Sequence, residues 1–485
     1  MKLIFPVLMC ALLLVSRLYA EPLPDNDLRS HPQIKGAIGI VDAWIDSVRD
    51  YGQVPGISVG FVVDQDLVFA KGYGYSNLEN EVEATPRTIY SICSISKLFT
   101  SIGVMQMRDA GILSLRDPVA DHLDWFDIEN TNPQSGPVRI GGLLTHSSGL
   151  PRESDFPYWT KLDFPFPEEG QLKEQLGKQA TLYPADTRFQ YSNLGFALAG
   201  AVLSARSETP YEQYVTEEII KPMGLRDTRA HFPKALHGNQ MAIGYAGLLR
   251  DRIRKPLPPF DTRAITAAAG FTSTVEDLAR FASWNFRTLD NQDDSVLNGN
   301  TLREMHRVSW VDPDWKSSWG IGFSVSQQEG NTVVSHGGGC PGYITDIAMV
   351  PKYKVAAIAL TNAADGPAGN VTASMMKVIG MALMDLGESE TPGPELNLEQ
   401  YAGNYITPVW GGEVAVRVWG NGLSVISLGN PYKPLGEVQK LAHVEGNVFV
   451  RLEEGEPRER WYFEVDATGR ASQIKRHQGL YSRIN

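Results

Sequence analysis

Ser94 and Lys97 stand three residues apart in Ser94-Ile95-Ser96-Lys97, and at helical spacing positions i and i+3 share one face. A serine hydroxyl is a weak nucleophile until a base takes its proton. Lysine supplies that base only where burial and nearby positive charge pull its pKa down. Two later segments carry complementary groups, Tyr191-Ser192-Asn193 and His336-Gly337-Gly338-Gly339. Tyr191 can share the proton transfer, and Asn193 can orient Lys97 and a substrate amide, provided an extended or turned backbone points both the same way. The run of glycines through Gly338 lets a substrate backbone lie along a strand edge. At a helix start the N–H of Ser94 is unpaired, and with the N–H of Gly339 it makes an oxyanion pair. His336, neutral or charged near pH 7, can polarise the Tyr191 hydroxyl or meet a substrate carboxylate. The chemistry these groups suit is serine acyl transfer.

Each motif alone is common. S-x-x-K recurs at Ser374…Lys377 and Ser472…Lys475, and Y-S-N recurs at Tyr75-Ser76-Asn77. One combination alone orders nucleophile, Y-x-N and H-G-G with a domain's length between them. A rival nucleophile, Ser58 in Gly56-Ile57-Ser58-Val59-Gly60, fits G-x-S-x-G, but that elbow needs a strand before the serine and a helix after it. Here the strand-like run continues through Ser58 to Val63. The nine histidines are scattered, with no H-E-x-x-H and no C-x-x-C, so neither metal nor cofactor is expected.

The positioning elements follow from periodicity. Gly36 to Val48 has apolar residues at helical spacing, and Ile57–Val63 with Leu67–Gly72 reads as a hairpin. Ser94 through Asp109 reads as a helix stopped by Gly111. Val275–Phe286 reads as another, with Ser273 and Glu276 spaced as a capping box. The Pro-rich 164–169 stretch reads as a surface loop. Strand signals return at Trp319–Val325, Thr332–Ser335, Asp346–Val350 and Val355–Thr361, and a helix follows near Val371–Met384. These late strands must rejoin the first hairpin. The expected fold class is α/β (α+β): an antiparallel sheet flanked by helices, a helical subdomain, and the site in the seam between them. Residues 388–397 read as an acidic linker, and 398–485 as a small all-β barrel marked by the Asn421-Gly422 and Gly446-Asn447 turns.

At 485 residues with 42% hydrophobic content the chain can bury a full core. Residues 1–20, with Lys2, an apolar run and Ala20 before Glu21, read as a secretory signal, which makes 21–387 the main domain and the protein exported, periplasmic or secreted. Removing them takes away Lys2 and Arg17 and moves the formal charge from −12 to −14. So acidic a chain is a poor partner for nucleic acid or an anionic membrane surface, and no stable membrane span remains. The expected partner is a small-molecule or peptide substrate; oligomeric state is left open. Cys93 and Cys340 read as small buried hydrophobes, with a bridge between them as the alternative that geometry decides.

With these residues in hand the chain resembles the serine β-lactamase and penicillin-binding-protein superfamily, in the branch of class C β-lactamases, DD-peptidases, D-aminopeptidases and related esterases. The likeness spans roughly 37–387 and includes 111–119 (GILSLRDPV), 143–150 (LLTHSSGL), 221–225 (KPMGL), 270–274 (GFTST) and 341–343 (PGY). Residues 398–485, opening 399–405 (EQYAGNY), are similar to the lipocalin-like β-domain behind many of these peptidases. The resemblance implies acylation of Ser94, with Lys97 and Tyr191 as general bases. Class C β-lactamases carry lysine where His336 stands; histidine there is similar to DD-peptidases, D-aminopeptidases and some esterases. It implies a peptidase of the DD-carboxypeptidase or D-aminopeptidase type. The alternatives are a carboxylesterase or weak β-lactamase of the same fold, or a penicillin-binding sensor that is acylated without turnover.

Overall fold

The computed structural model describes residues 28–315, 318–328, 330–384, 386, 396–409, 411–453, 455–477 and 479–484. The expected signal at 1–20, with Cys10, and all but the last two residues of the 388–397 linker lie outside the described residues. Helix α1 (Pro32–Tyr51) is followed by the expected hairpin, β1 (Gly56–Val63) and β2 (Asp66–Asn77). Short β3 (Val82–Glu83) edges the sheet on that side. The chain then leaves for a helical subdomain containing α2 (Ser96–Asp109), α3 (Ile140–Thr145) and α4 (Asn193–Ser207). It returns through α5 (Val275–Leu289), whose cap is Thr274 accepting from the Asp277 N–H at 3.1 Å. The cap lies one residue beyond the expected Ser273, which is held in a two-residue strand against Tyr90.

Strands β4 (Trp310–Val311), β5 (Ser318–Trp319), β6 (Ser324–Gln328), β7 (Asn331–Cys340), β8 (Tyr343–Val350) and β9 (Val355–Thr361) complete the sheet. Its order is β3-β2-β1-β9-β8-β7-β6-β5-β4, so β9 pairs antiparallel with β1 and closes the long insertion. The expected strand over Trp319–Val325 is broken in two, because Gly322 adopts φ +80° between β5 and β6. Every residue of β1 is buried, since both faces are covered. Ile57, Val59 and Phe61 pack toward α1 and α6 (Ala368–Met384), while Val62 faces the α2 and α5 side. Ser58, inside β1, has its hydroxyl on Thr85 O at 2.8 Å and Tyr90 Oη at 2.9 Å, which makes it a buried structural serine.

The 164–169 stretch is not a bare surface loop: Phe164 and Phe166 are buried among Tyr158 and Phe260. The thiol reading is also corrected. Cys93 and Cys340 are buried, and they form a disulfide with Cα atoms 5.8 Å apart.

Beyond α6, eight consecutive antiparallel strands, β10 (Gly403–Thr407) through β17 (Gly479–Ile484), close into a barrel filled by Tyr401, Tyr405, Phe449, Trp461 and Phe463. The barrel rests on α1 and α6, with Ala415, Trp419, Ile426 and Leu435 joining the core there. Gly36 of α1 lies so close to the barrel that a Cβ would fall 2.7 Å from Trp419 Cα. The spare S-x-x-K at Ser374…Lys377 serves this junction: Ser374 Oγ accepts the Leu435 N–H at 2.8 Å, and Lys377 Nζ donates to Gly436 O at 3.1 Å. Among the described residues no helix is long and apolar enough to cross a membrane.

Candidate active site

Two short strands, Tyr90–Ser91 and Thr272–Ser273, fix the approach to Ser94. The Ile92 N–H donates to Phe271 O at 2.9 Å, and the Phe271 N–H donates to Ser96 Oγ at 3.0 Å. A 3₁₀ turn, Cys93–Ile95, then leads into α2, so the helix proper begins two residues later than expected. From Thr88 to Met105 every residue is buried except Ser94. The scaffold offers one accessible side chain at the head of a helix.

Lys97 lies one turn on and is fully buried. Its Nζ lies 3.2 Å from Ser94 Oγ, 2.8 Å from Asn193 Oδ1 and 2.8 Å from Ala268 O. These three acceptors are neutral, so an ammonium here is poorly repaid for its lost hydration. Burial therefore holds Lys97 well below lysine's ordinary value; Glu153 pulls it back up and Arg152 pushes it further down.

Asn193 and Tyr191 flank Ser192, whose extended backbone (φ −133°, ψ 113°) caps α4 and turns both neighbours toward Lys97. The Tyr191 ring lies 4.8 Å under Lys97 Nζ. Burial pushes its hydroxyl up to about 12, with the Ser94 hydrogen bond and Arg152 working the other way. The ring is stacked on His146 at 4.1 Å, and His146 Nδ1 accepts the Ser192 N–H at 3.0 Å. The Arg152 guanidinium covers the Tyr191 ring at 4.9 Å.

The glycine strand forms the opposite wall. Partner β6 ends its pairing at Ser335, so β7 runs on with one free edge through His336 to Gly339. Cys340 pairs with Tyr343 across the two-residue turn Pro341-Gly342. Alternation from that closing pair turns the backbone groups of Gly339 and Gly337 away from β8, toward the open edge. Gly338 faces inward, where a Cβ would fall 2.3 Å from Ile92 O. Only glycine lets the strand lie this close to the Ser94 turn.

His336 departs from its expected versatility. It is buried, its ring stands 6.4 Å from that of Tyr191, and its Nδ1–H donates to Gly337 O at 2.7 Å. Burial, reinforced by Lys97, holds its pKa down to about 3. At neutral pH it is uncharged and presents Nε2 as an acceptor, so it is not the cation for a substrate carboxylate.

The structure thus brings Ser94, Lys97, Tyr191, Asn193 and the His336–Gly339 edge into one seam. Sequence reasoning missed three neighbours. Glu153 accepts the Asn193 Nδ2–H at 2.7 Å, Arg152 caps Tyr191, and His146 backs it. His146 stood inside the quoted 143–150 segment with no role attached to it, and nothing in the spacing marks Arg152 or Glu153. Among the described residues no cluster of His, Cys, Asp or Glu could hold a metal ion.

A family model described as Beta-lactamase matches residues 41–376. The chain is 27% identical over 353 residues to Beta-lactamase-like protein 4 of Dictyostelium discoideum, covering 69% of this chain and 61% of that protein. It therefore spans about three fifths of the length of such relatives. The octameric penicillin-binding protein homologue from Pyrococcus abyssi superposes with TM-score 0.63 at 25% identity, covering 92% of this chain and 99% of that one. A β-lactamase/D-alanine carboxypeptidase from Yersinia pestis shares the fold with TM-score 0.60 at 20% identity, over 72% of this chain and 98% of its own.

Proposed function

The chain belongs to the beta-lactamase family, a fold family of hydrolases, and on that premise we propose that it is a serine hydrolase acylated at Ser94, acting on peptides of the DD-carboxypeptidase or D-aminopeptidase type. The observation that carries this reading is the buried Lys97 amine, 3.2 Å from Ser94 Oγ and held by neutral acceptors. Lys97, with Tyr191, takes the Ser94 proton as Oγ attacks the substrate carbonyl and the C–O bond forms. The N–H groups of Ser94 and Gly339 hold the oxyanion. Collapse breaks the C–N bond, and the proton passes to the leaving amine. Water then attacks the ester by the same relay and releases the acid.

Arg152, its side chain 59% exposed and its Nε 3.3 Å from Glu153 Oε1, is the cation assigned to a substrate carboxylate, the role His336 is too buried to fill. A disulfide persists in oxidising surroundings, which supports an exported protein. The D-alanine carboxypeptidase named in the Yersinia pestis structure is one instance of the proposed class. Purified protein should cleave D-Ala-D-Ala or D-aminoacyl amides with steady turnover. Nitrophenyl ester turnover without amide cleavage would replace the peptidase reading by an esterase. A single acylation burst without turnover would replace it by a sensor.

A further inference from the structure

The disulfide joins the residue before Ser94 to the residue after Gly339, across 247 positions of sequence. On the Proposed function reading these are the two segments whose N–H groups face the oxyanion. Besides the packing of Gly338 on Ile92 O, two side-chain contacts among the described residues join them. Thr345 Oγ1 donates to Ile92 O at 3.2 Å, and the Ser91 hydroxyl lies 3.4 Å from Cys340 Sγ. Past Ser335 β7 has lost its β6 neighbour, so its last five residues hang from β8 alone among the sheet strands. Cys93 adopts φ +49°, a left-handed backbone that a side chain rarely takes, at the bend that presents Ser94. A bond anchored at that bend reaches the free end of β7.

We propose that the Cys93–Cys340 bond is a positioning element of the acyl-transfer site: it sets the spacing between the Ser94 and Gly339 N–H groups, and opening it slows acylation without removing substrate binding. Opening by a dithiol is a two-electron exchange. The protein disulfide becomes two thiols while the reagent closes its own disulfide. Cys10 is the chain's remaining cysteine, so in protein lacking residues 1–20 a reductant has this bond alone to act on.

The experiment compares the oxidised protein, the Cys93→Ala/Cys340→Ala double variant, and dithiothreitol-reduced protein whose two thiols are counted by iodoacetamide and mass. Each is assayed well below its own unfolding midpoint, which is recorded separately. The readouts are the rate of Ser94 labelling by a fluorophosphonate, the kcat and KM for an ester substrate, and the affinity of a boronic acid that forms a tetrahedral adduct. The proposal expects labelling and kcat to fall about tenfold or more, as for a displaced oxyanion donor, and boronate affinity to fall in parallel. It expects KM to stay within about twofold, and reoxidation of the reduced protein to restore the rate. Should the double variant not fold, the reduced and reoxidised wild-type protein gives the same readouts. Unchanged labelling and boronate affinity with the bond open would overturn the proposal. Failure of oxidised protein to label at Ser94 would instead overturn the nucleophile reading and this inference with it.

Discussion

Glu153 Oε1 accepts the Asn193 Nδ2–H at 2.7 Å, and through that contact it sets the direction in which Asn193 Oδ1 faces Lys97. Asn193 is thereby oriented before any substrate arrives, holding Lys97 through Oδ1 while Glu153 takes one of its two Nδ2 hydrogens. Tyr158 Oη in turn donates to Glu153 Oε2 at 2.6 Å, so the aromatic cluster of Tyr158 and Phe166 steadies the carboxylate. Glu153→Ala should free Asn193 and slow acylation by roughly 10- to 100-fold, the scale of a misplaced catalytic group. Stopped-flow acylation rates check this.

Two charges act on Lys97 with opposite sign, and the pH profile should report both. Lys97 works as a base in its neutral form, so activity falls as pH drops through its pKa. Glu153 raises that pKa and Arg152 lowers it. Glu153→Gln should therefore move the acidic limb of kcat/KM to lower pH, and Arg152→Ala should move it to higher pH. Arg152→Ala should also raise KM for substrates carrying a carboxylate more than for neutral esters. Limbs that shift in the same direction would remove Lys97 as the titrating base.

Ser58 and Ser94 separate cleanly. Ser58→Ala should leave probe labelling intact while costing about 1–3 kcal/mol of stability, since Thr85 O and Tyr90 Oη lose a buried partner. Lys97→Ala and Tyr191→Phe should each slow acylation by roughly 10²-fold or more, the scale of a lost general base. Chemical denaturation alongside labelling kinetics distinguishes the two classes of variant.

Acid should unfold the protein through its buried histidines. Burial holds His336 and His306 down to about 3, against an ordinary 6.5, and His146 is also lowered. Between those values the unfolded chain binds protons that the folded chain refuses, so stability is present above pH 6.5 and is lost as pH falls toward 3. Each fully buried ring contributes on the order of a few kcal/mol across that window. His306, packed edge-on against Phe323, is the cleanest probe. His306→Gln should flatten the slope of unfolding free energy between pH 6.5 and 4, measured by urea titration.

The barrel's seat on α1 and α6 predicts a stability effect without a chemical one. Gly36→Val would drive a side chain into Trp419 and should cost about 1–3 kcal/mol, the usual penalty of overpacking. Turnover per folded molecule should hold, because the α2 segment carrying Ser94 and Lys97 packs on the other face of the sheet from α1 and the barrel. Thermal melts with active-site titration test both halves.

The paired strands were legible because alternation and turn residues are local: Ile57–Val63 with Leu67–Gly72, and Val355–Thr361, follow the apolar pattern, although β2 runs on to Asn77 and the partner of Val355–Thr361 was given only as the first hairpin. The triad Ser94, Lys97 and Tyr191 was legible because helical spacing and an extended Ser192 fix which side chains can meet. What escaped depends on distance through space. The Cys93–Cys340 bond, left open as the alternative to two buried thiols, needs β7 laid against the Ser94 turn, which no spacing announces. The neutrality of His336 is a property of burial, not of residue type. Gly322 broke the expected Trp319–Val325 strand because its φ of +80° lies where a strand does not run. Phe164 and Phe166 were misread as surface because proline marks a loop without saying which of its side chains turn inward.

The central claim is that Ser94 carries the acyl group, and mass spectrometry of the intact protein after a fluorophosphonate or penicillin-type probe, followed by peptide mapping, tests it most directly. The account predicts one adduct per chain, mapped to Ser94 and absent from Ser94→Ala. An adduct on Ser58 or any other residue, or full labelling of Ser94→Ala, would contradict it.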